Sequence, residues 1–201
     1  MIVTLSGRSG VGKTSITQRL LKEVPSVRAL MSFTTREPRV SDRSGEYAYL
    51  TRKSFDEKTD RGEFLWTKEV DGEQYGTTRK DLAIAAGERH LCFLMCVAFD
   101  TVLVLAEACR ADRKSEELLS FYIESPDSDE VLRKRMLMRG DSLTSIDRRL
   151  EESWDWDMLA HSTGHPFIFI RDTDAMIEEK VEVIMNYIAP YIQKISSLPP
   201  P

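Results

Sequence analysis

Ile2-Val3-Thr4-Leu5-Ser6-Gly7-Arg8-Ser9-Gly10-Val11-Gly12-Lys13-Thr14 is the stretch on which the reading of this chain turns. It opens with a short apolar, β-branched run, which is what a parallel strand buries on both faces. Beyond it, Ile16, Leu20 and Leu21 recur at helical spacing among Lys, Gln and Arg, and Pro25 supplies a stop. Between predicted strand and predicted helix, Gly7 to Thr14 fits G-x-x-x-x-G-K-[ST], in the context that gives this motif its meaning. Glycines let backbone N–H groups turn inward, where they and the positive end of the helix hold phosphate oxygens. Lys13 can reach the outer phosphates, and the Thr14 hydroxyl is placed to ligate Mg²⁺. Gly7, Ser9, Gly10, Val11, Gly12, Lys13 and Thr14 are thus the expected triphosphate site. A ligand-free glycine turn is the competing account, but a Lys beside two glycines has little packing use.

Outward from this motif, strand-like and helical segments alternate. Leu91 to Val97 is a second apolar run followed by a helical stretch to about Ala108; Phe121-Tyr122-Ile123 and Phe167 to Ile170 read as further strands, and an amphipathic helix covers about 174–195. That alternation predicts an α/β fold with a three-layer parallel sheet. Residues 32–82 are polar, with only the short alternating pieces YAYL and FLWTKEV, and predict a small inserted antiparallel lobe. Residues 129–161 are charged and helical, broken at Arg139-Gly140-Asp141, and read as a helical lid. The expected organisation is one unit over 1–195, with its core at about 1–31, 83–128 and 162–195, and a frayed tail at 196–201.

Composition narrows the function classes. The 201 residues are 41% hydrophobic and 30% charged, enough for one buried core, and the formal net charge of -5 argues against a nucleic-acid binder. No apolar run approaches the roughly 20 residues a bilayer requires, and MIVTLSG has no basic region ahead of its hydrophobic stretch, so no membrane partner and no export are expected. Cys92, Cys96 and Cys109 are odd in number and read as free thiols, which favours a reducing cytoplasm.

Ser32-Phe33-Thr34-Thr35-Arg36-Glu37-Pro38-Arg39 resembles the S-x-T-T-R-x-P-R segment of guanylate kinases. Gly45-Glu46-Tyr47 resembles the family's G-x-D-Y shortened by one residue, and Gly72-Glu73-Gln74-Tyr75-Gly76-Thr77 its G-x-x-Y-G-[ST]. Leu132-Arg133-Lys134-Arg135, Arg139-Gly140 and Arg148-Arg149-Leu150 resemble its arginine lid, so the resemblance runs from about residue 2 to 190. It implies a P-loop kinase core, an acceptor lobe, a mobile lid, and ATP-dependent, Mg²⁺-assisted phosphorylation of a nucleoside 5′-monophosphate. Ser32, Asp42 and Thr77 keep their family places. Arg36 and Arg39 flank Pro38, which holds the chain out of helix, so two guanidiniums can grip an acceptor phosphate, with Tyr47 and Tyr75 adding hydroxyl donors. Arg135 and Arg139, four apart on a helix, repel unless an anion lies between them, and a transferring phosphoryl group is such an anion. With Lys13 and Arg149 they form the expected catalytic set.

The resemblance breaks where the family reads its base. Trp66 stands at the place of the glutamate that accepts from guanine N1–H and N2–H₂; an indole has no acceptor, at a cost of roughly 1–3 kcal/mol per lost bond. Trp66 either stacks on a base or packs inside the small lobe. Leu94-Met95-Cys96-Val97 replaces an acidic pair; Asp100 could substitute from the loop, though a helix N-cap is the simpler account. Arg171 takes the place of an asparagine near the donor adenine. Phosphate-handling parts survive while base-reading parts change, which reads as a kinase with an altered acceptor. A protein-interaction module without turnover, and a kinase for a sugar phosphate or modified nucleotide, stand as alternatives. Asp172 and Asp174 read as turn and cap residues, His161 and His165 lack a third ligand for zinc, and at most one of Trp154 and Trp156 reads as core.

Overall fold

A computed structural model describes residues 1–38, 42, 45–88, 91–111, 118–126, 128–172 and 177–196. Strand β1 (Ile2–Ser6) is buried at all five positions and lies at the middle of a five-stranded sheet. It pairs in parallel with β7 (Cys92–Cys96) and β8 (Leu118–Ile123); β2 (Val27–Ala29) lies outside β7, and β9 (Ile168–Ile170) outside β8, both also parallel. A strand covered on both faces needs apolar residues at consecutive positions, and this is why the opening run does not alternate.

Successive residues serve opposite layers. Val3, Leu5, Leu94 and Phe121 face helices α1 (Lys13–Glu23) and α8 (Ile177–Ser196), meeting Ile16, Leu20, Ile184 and Ile188. Ile2, Met95 and Tyr122 face the other way, toward Val102 and Leu105 of α4 (Phe99–Ala111). This is the expected three-layer α/β core. Helices α5 (Asp129–Met138) and α6 (Leu143–Glu151) add Leu132, Met136, Ile146 and Leu150 to the first layer, and α7 (Trp156–Ser162) adds Ala160 to the second.

The small lobe carries a second sheet, ordered β4 (Tyr47–Tyr49), β3 (Ser32–Thr34), β6 (Glu73–Thr78), β5 (Phe64–Val70). It is mixed where the sequence suggests antiparallel: β3 pairs with β6 and β6 with β5 in antiparallel fashion, but β3 and β4 run parallel. Periodicity cannot reveal strand direction in such three-residue pieces. The β5–β6 connection is Asp71-Gly72, both at positive φ (59° and 78°), as a two-residue type I′ turn demands.

Two helices of this region escape a periodicity reading: α2 (Arg52–Asp60) is short and polar with Phe55 its one apolar residue, and α3 (Arg79–Gly87) carries an unbroken apolar run, Leu82 to Ala86, that shows no stripe. Their caps are legible instead: Thr51 Oγ1 accepts from Ser54 N–H and Thr78 Oγ1 from Asp81 N–H. Phe55 fastens α2, 1% exposed and stacked on Phe64 at 4.5 Å between ring centres. Among the described residues no helix is long and apolar enough to cross a membrane, and Cys92, Cys96 and Cys109 are free thiols. Replacing Phe55→Ala should remove about 3–5 kcal/mol of stability through the cavity it leaves, read as a lowered urea midpoint with an unchanged slope.

Candidate active site

A cleft opens at the C-terminal ends of β1 and β7, bounded by the glycine loop, the small sheet and helices α5 to α7. In open parallel sheets this crevice, where connections leave in opposite directions, is where ligands bind. Two backbone constraints shape its floor. A Cβ on Gly7 (φ 138°) would lie 2.4 Å from the Ile123 carbonyl oxygen, so only glycine lets the loop leave β1 there. Gly12 (φ 99°) is left-handed and starts α1, turning its first free N–H groups toward the cleft.

Ser9, Lys13 and Thr14 line the cleft. Lys13 Nζ spans the loop, donating to the Gly7 carbonyl at 2.5 Å and the Arg8 carbonyl at 2.9 Å. Withdrawal from water pushes its pKa down to about 8; Cys96 opposes that fall, and the Arg149 and Arg139 guanidiniums add to it. Beneath the loop Arg8, 6% exposed, places its two terminal nitrogens on the two Asp129 oxygens at 2.8 and 3.1 Å, tying α5 to the cradle.

On the small-lobe wall Arg36, 7% exposed, is held by Asp42 through paired contacts of 2.8 and 2.7 Å and by the Glu37 carbonyl at 2.8 Å. Its guanidinium lies 4.8 Å from the Tyr47 ring centre, and Tyr49 donates its hydroxyl to Asp42 at 2.6 Å. Burial pushes the Tyr47 pKa up, so this hydroxyl remains a donor. Tyr75 packs edge-on to Tyr47 at 6.4 Å, and both line the cleft. Ser32 also lines it, 3.2 Å from the Thr77 hydroxyl, which is itself fully buried behind the wall. Arg39 and Asp174 lie outside the described residues.

From the opposite side Arg139 and Arg149 enter the cleft, both gripping Asp141. Arg135 does not join them. Its guanidinium binds Asp172, with one nitrogen 3.5 Å from the Gly10 carbonyl. Asp172 is therefore no simple turn residue: it is buried and bound by both Arg135 and Lys180. Arg171 is also away from the cleft lining, its side chain 87% exposed and 3.8 Å from Glu124.

Trp66, Lys68 and Val70 form the far end of the small-lobe wall. Trp66 lines the cleft and packs against the α4 layer of the core, not inside the small lobe as one of its two readings had it. Asp100 sits in the first turn of α4 rather than at its cap, and accepts from Lys68 at 2.6 and 2.8 Å. Neither Lys68 nor this pairing was anticipated, although the alternation in FLWTKEV places Lys68 on the same strand face as Trp66. Glu46, which also lines the cleft beside Tyr47, was not singled out, although it stands at the acidic place of the G-x-D-Y segment. His161 stacks on Phe169 at 3.9 Å and bonds Glu124 at 2.9 Å, and His165 packs on Phe167. Trp154 is exposed while Trp156 packs on Phe99. Among the described residues no group of His, Cys, Asp and Glu is placed to hold a metal by itself.

A glycine cradle at the head of a parallel sheet, facing a walled arginine site, defines a P-loop kinase fold. The guanylate kinase family model matches residues 1–188. The guanylate kinase of Ruegeria pomeroyi is 31% identical over 92% of this chain and 84% of its own, and that of Trichormus variabilis is 36% identical over 76% and 73%. The crystal structure of guanylate kinase from Anaplasma phagocytophilum superposes with a TM-score of 0.64 at 22% identity, covering 94% of this chain and 85% of that one, which supports the fold. The chain belongs to the guanylate kinase family, and with it to the phosphotransferases.

The folded protein holds the Lys13 proton only to about pH 8, against about 10.5 when unfolded. The unfolded state therefore binds more protons between these limits, and the contribution of Lys13 to stability should rise with pH across that window. Chemical denaturation of wild type and Lys13→Met from pH 7 to 10 should show wild type gaining on the variant above pH 8; a constant difference would contradict the assignment.

Proposed function

We propose that this chain transfers the terminal phosphoryl group of ATP to the phosphate of a nucleoside 5′-monophosphate, with an acceptor base held otherwise than by a glutamate at position 66. The observation that carries this reading is that Lys13, Arg139, Arg149, Arg36, Tyr47 and Tyr75 open into one cleft. A binding module without turnover has no use for that combination.

The cradle's inward-turned N–H groups take the donor triphosphate, and Lys13 exchanges the Gly7 and Arg8 carbonyls for phosphate oxygens. Mg²⁺ bound with the triphosphate supplies charge neutralisation, and Thr14, whose hydroxyl borders the cleft, fits as the side chain that holds it beside phosphate oxygens and water. Arg36 is a pre-set fork: Asp42 fixes its plane, and its remaining N–H groups, with the Tyr47 and Tyr75 hydroxyls, hold the acceptor phosphate. Arg139 and Arg149 neutralise charge on the transferring group, and their shared Asp141 keeps both on one side of it. Arg135 joins them only by leaving Asp172. Arg39, Ser32 and Thr77 belong to the same acceptor wall in this reading, and Arg171 to the donor base. The free thiols support work in a reducing cytoplasm.

ADP release measured with ATP, Mg²⁺ and a panel of nucleoside monophosphates tests this. At least one acceptor should stimulate turnover, Lys13→Met should lower kcat about 100-fold or more, and Arg36→Lys should raise the acceptor KM about tenfold, since a point charge cannot replace a fork. Absence of stimulation by every ribo- and deoxyribonucleotide tried would sink the proposal.

A further inference from the structure

Asp71 sits where the small lobe meets α6. It is the first residue of the β5–β6 turn and, among the described residues, the one non-glycine at positive φ. Its carboxylate accepts from the Ser145 hydroxyl at 2.8 Å and is ion-paired with Arg148, whose guanidinium also lies 3.4 Å from the Asp71 carbonyl oxygen. One turn residue thus receives two side chains of a single helix, 74 and 77 positions further along the chain. The ladder behind the turn keeps it stiff, with Glu69 opposite Gln74 and Val70 opposite Glu73.

The phase of the helix shows what this contact controls. At about 100° per residue, Ser145 and Arg148 share one face of α6, Ile146 and Leu150 share another that packs into the core, and Arg149 projects between them. Arg149 lines the cleft, whereas Arg148 does not. Core packing on one side alone leaves a short helix free to rock about its axis; a second attachment on the Asp71 side removes that freedom. Asp141 orients the Arg149 guanidinium, and Asp71 places the helix that carries it.

The lobe end of the contact is tied to the acceptor wall. Thr35, next to Arg36, donates its hydroxyl to Glu73 at 2.6 Å and accepts from the Gln74 N–H at 2.9 Å, and Tyr75 follows directly. Asp71 therefore links the side chains placed on the acceptor phosphate to the arginine placed on the transferring group. A misplacement of about 1 Å between such groups is enough to slow a reaction severely.

We propose that Asp71 is a positioning residue for phosphoryl transfer, acting through α6 to hold Arg149 in register with Arg36 and Tyr75. This rests on the nucleoside monophosphate kinase reading above and adds to it a residue outside the cleft lining.

Glycine keeps the turn geometry while removing the carboxylate, so Asp71→Gly should fold with the wild-type urea midpoint. Assayed on the full chain by ADP release, with ATP, Mg²⁺ and the monophosphate that wild type turns over fastest, it should lose kcat about three- to tenfold while both KM values stay within about twofold. Arg148→Met should behave alike, and Asp71→Asn, which keeps the turn and an acceptor oxygen, should recover part of the loss. In an Arg149→Lys background Asp71→Gly should cause no further loss, because two changes that act through one group do not add. Undiminished kcat in Asp71→Gly, or the same fold loss on top of Arg149→Lys, would overturn the role of Asp71 while leaving the kinase reading intact. Should no monophosphate be phosphorylated by wild type, both readings fall together. If Asp71→Gly shifts the urea midpoint, Arg148→Met, at a half-exposed position, decides by the same measures. If Arg149→Lys is too slow to assay, recovery by Asp71→Asn supports the proposal and its absence overturns it.

Discussion

A guanidinium withdrawn from water must meet an anion or destabilise the fold by several kcal/mol. Arg8 sits inside the glycine loop under that constraint, and Asp129 relieves it with both oxygens. The consequence is geometric. Asp129 is the first residue of α5, so the pair sets where that helix begins, Leu132 then packs into the core beneath the loop, and Arg135 arrives beside the Gly10 carbonyl. The cradle and the helices that carry arginines are thereby one mechanical piece.

The same rule repeats around the cleft, which reconciles a net charge of -5 with an anion site. Arg36 has Asp42, Lys68 has Asp100, Arg139 and Arg149 share Asp141, and Arg135 and Lys180 share Asp172. Each carboxylate orients a cation and also competes with phosphate for it. Positive potential is thus stored in oriented pairs rather than as a broad basic face, which suits small, specific anions over polyanions.

Much of this was legible in the sequence, for identifiable reasons. The β1–loop–α1 unit is local, and its glycines, Lys13 and Thr14 are required by backbone geometry and chemistry at fixed spacing. Arg36, Tyr47, Tyr75, Arg139 and Arg149 were reached through the resemblance to guanylate kinase segments, and they do line the cleft. What could not be read depends on contacts between segments distant in the chain. Lys68 and Asp100 meet across 32 residues, and Arg135 and Asp172 across 37. A helix-face argument puts Arg135 beside Arg139, but only the fold reveals a buried carboxylate that draws it elsewhere. The parallel pairing of β3 with β4 was equally hidden, since alternation carries no information on strand direction.

The Asp71-Gly72 turn reaches past its own lobe. Asp71 accepts from the Ser145 hydroxyl at 2.8 Å and is ion-paired with Arg148, both on α6. This contact joins the small lobe to the helix that carries Arg149 into the cleft. Its ion pair joins a half-exposed arginine of α6 to a two-residue turn, a kind of pair worth about 0–1 kcal/mol and weakened by salt. The small lobe and the arginine-bearing helix α6 are thus joined by a contact that salt weakens, separate from the buried pair that ties α5 to the cradle.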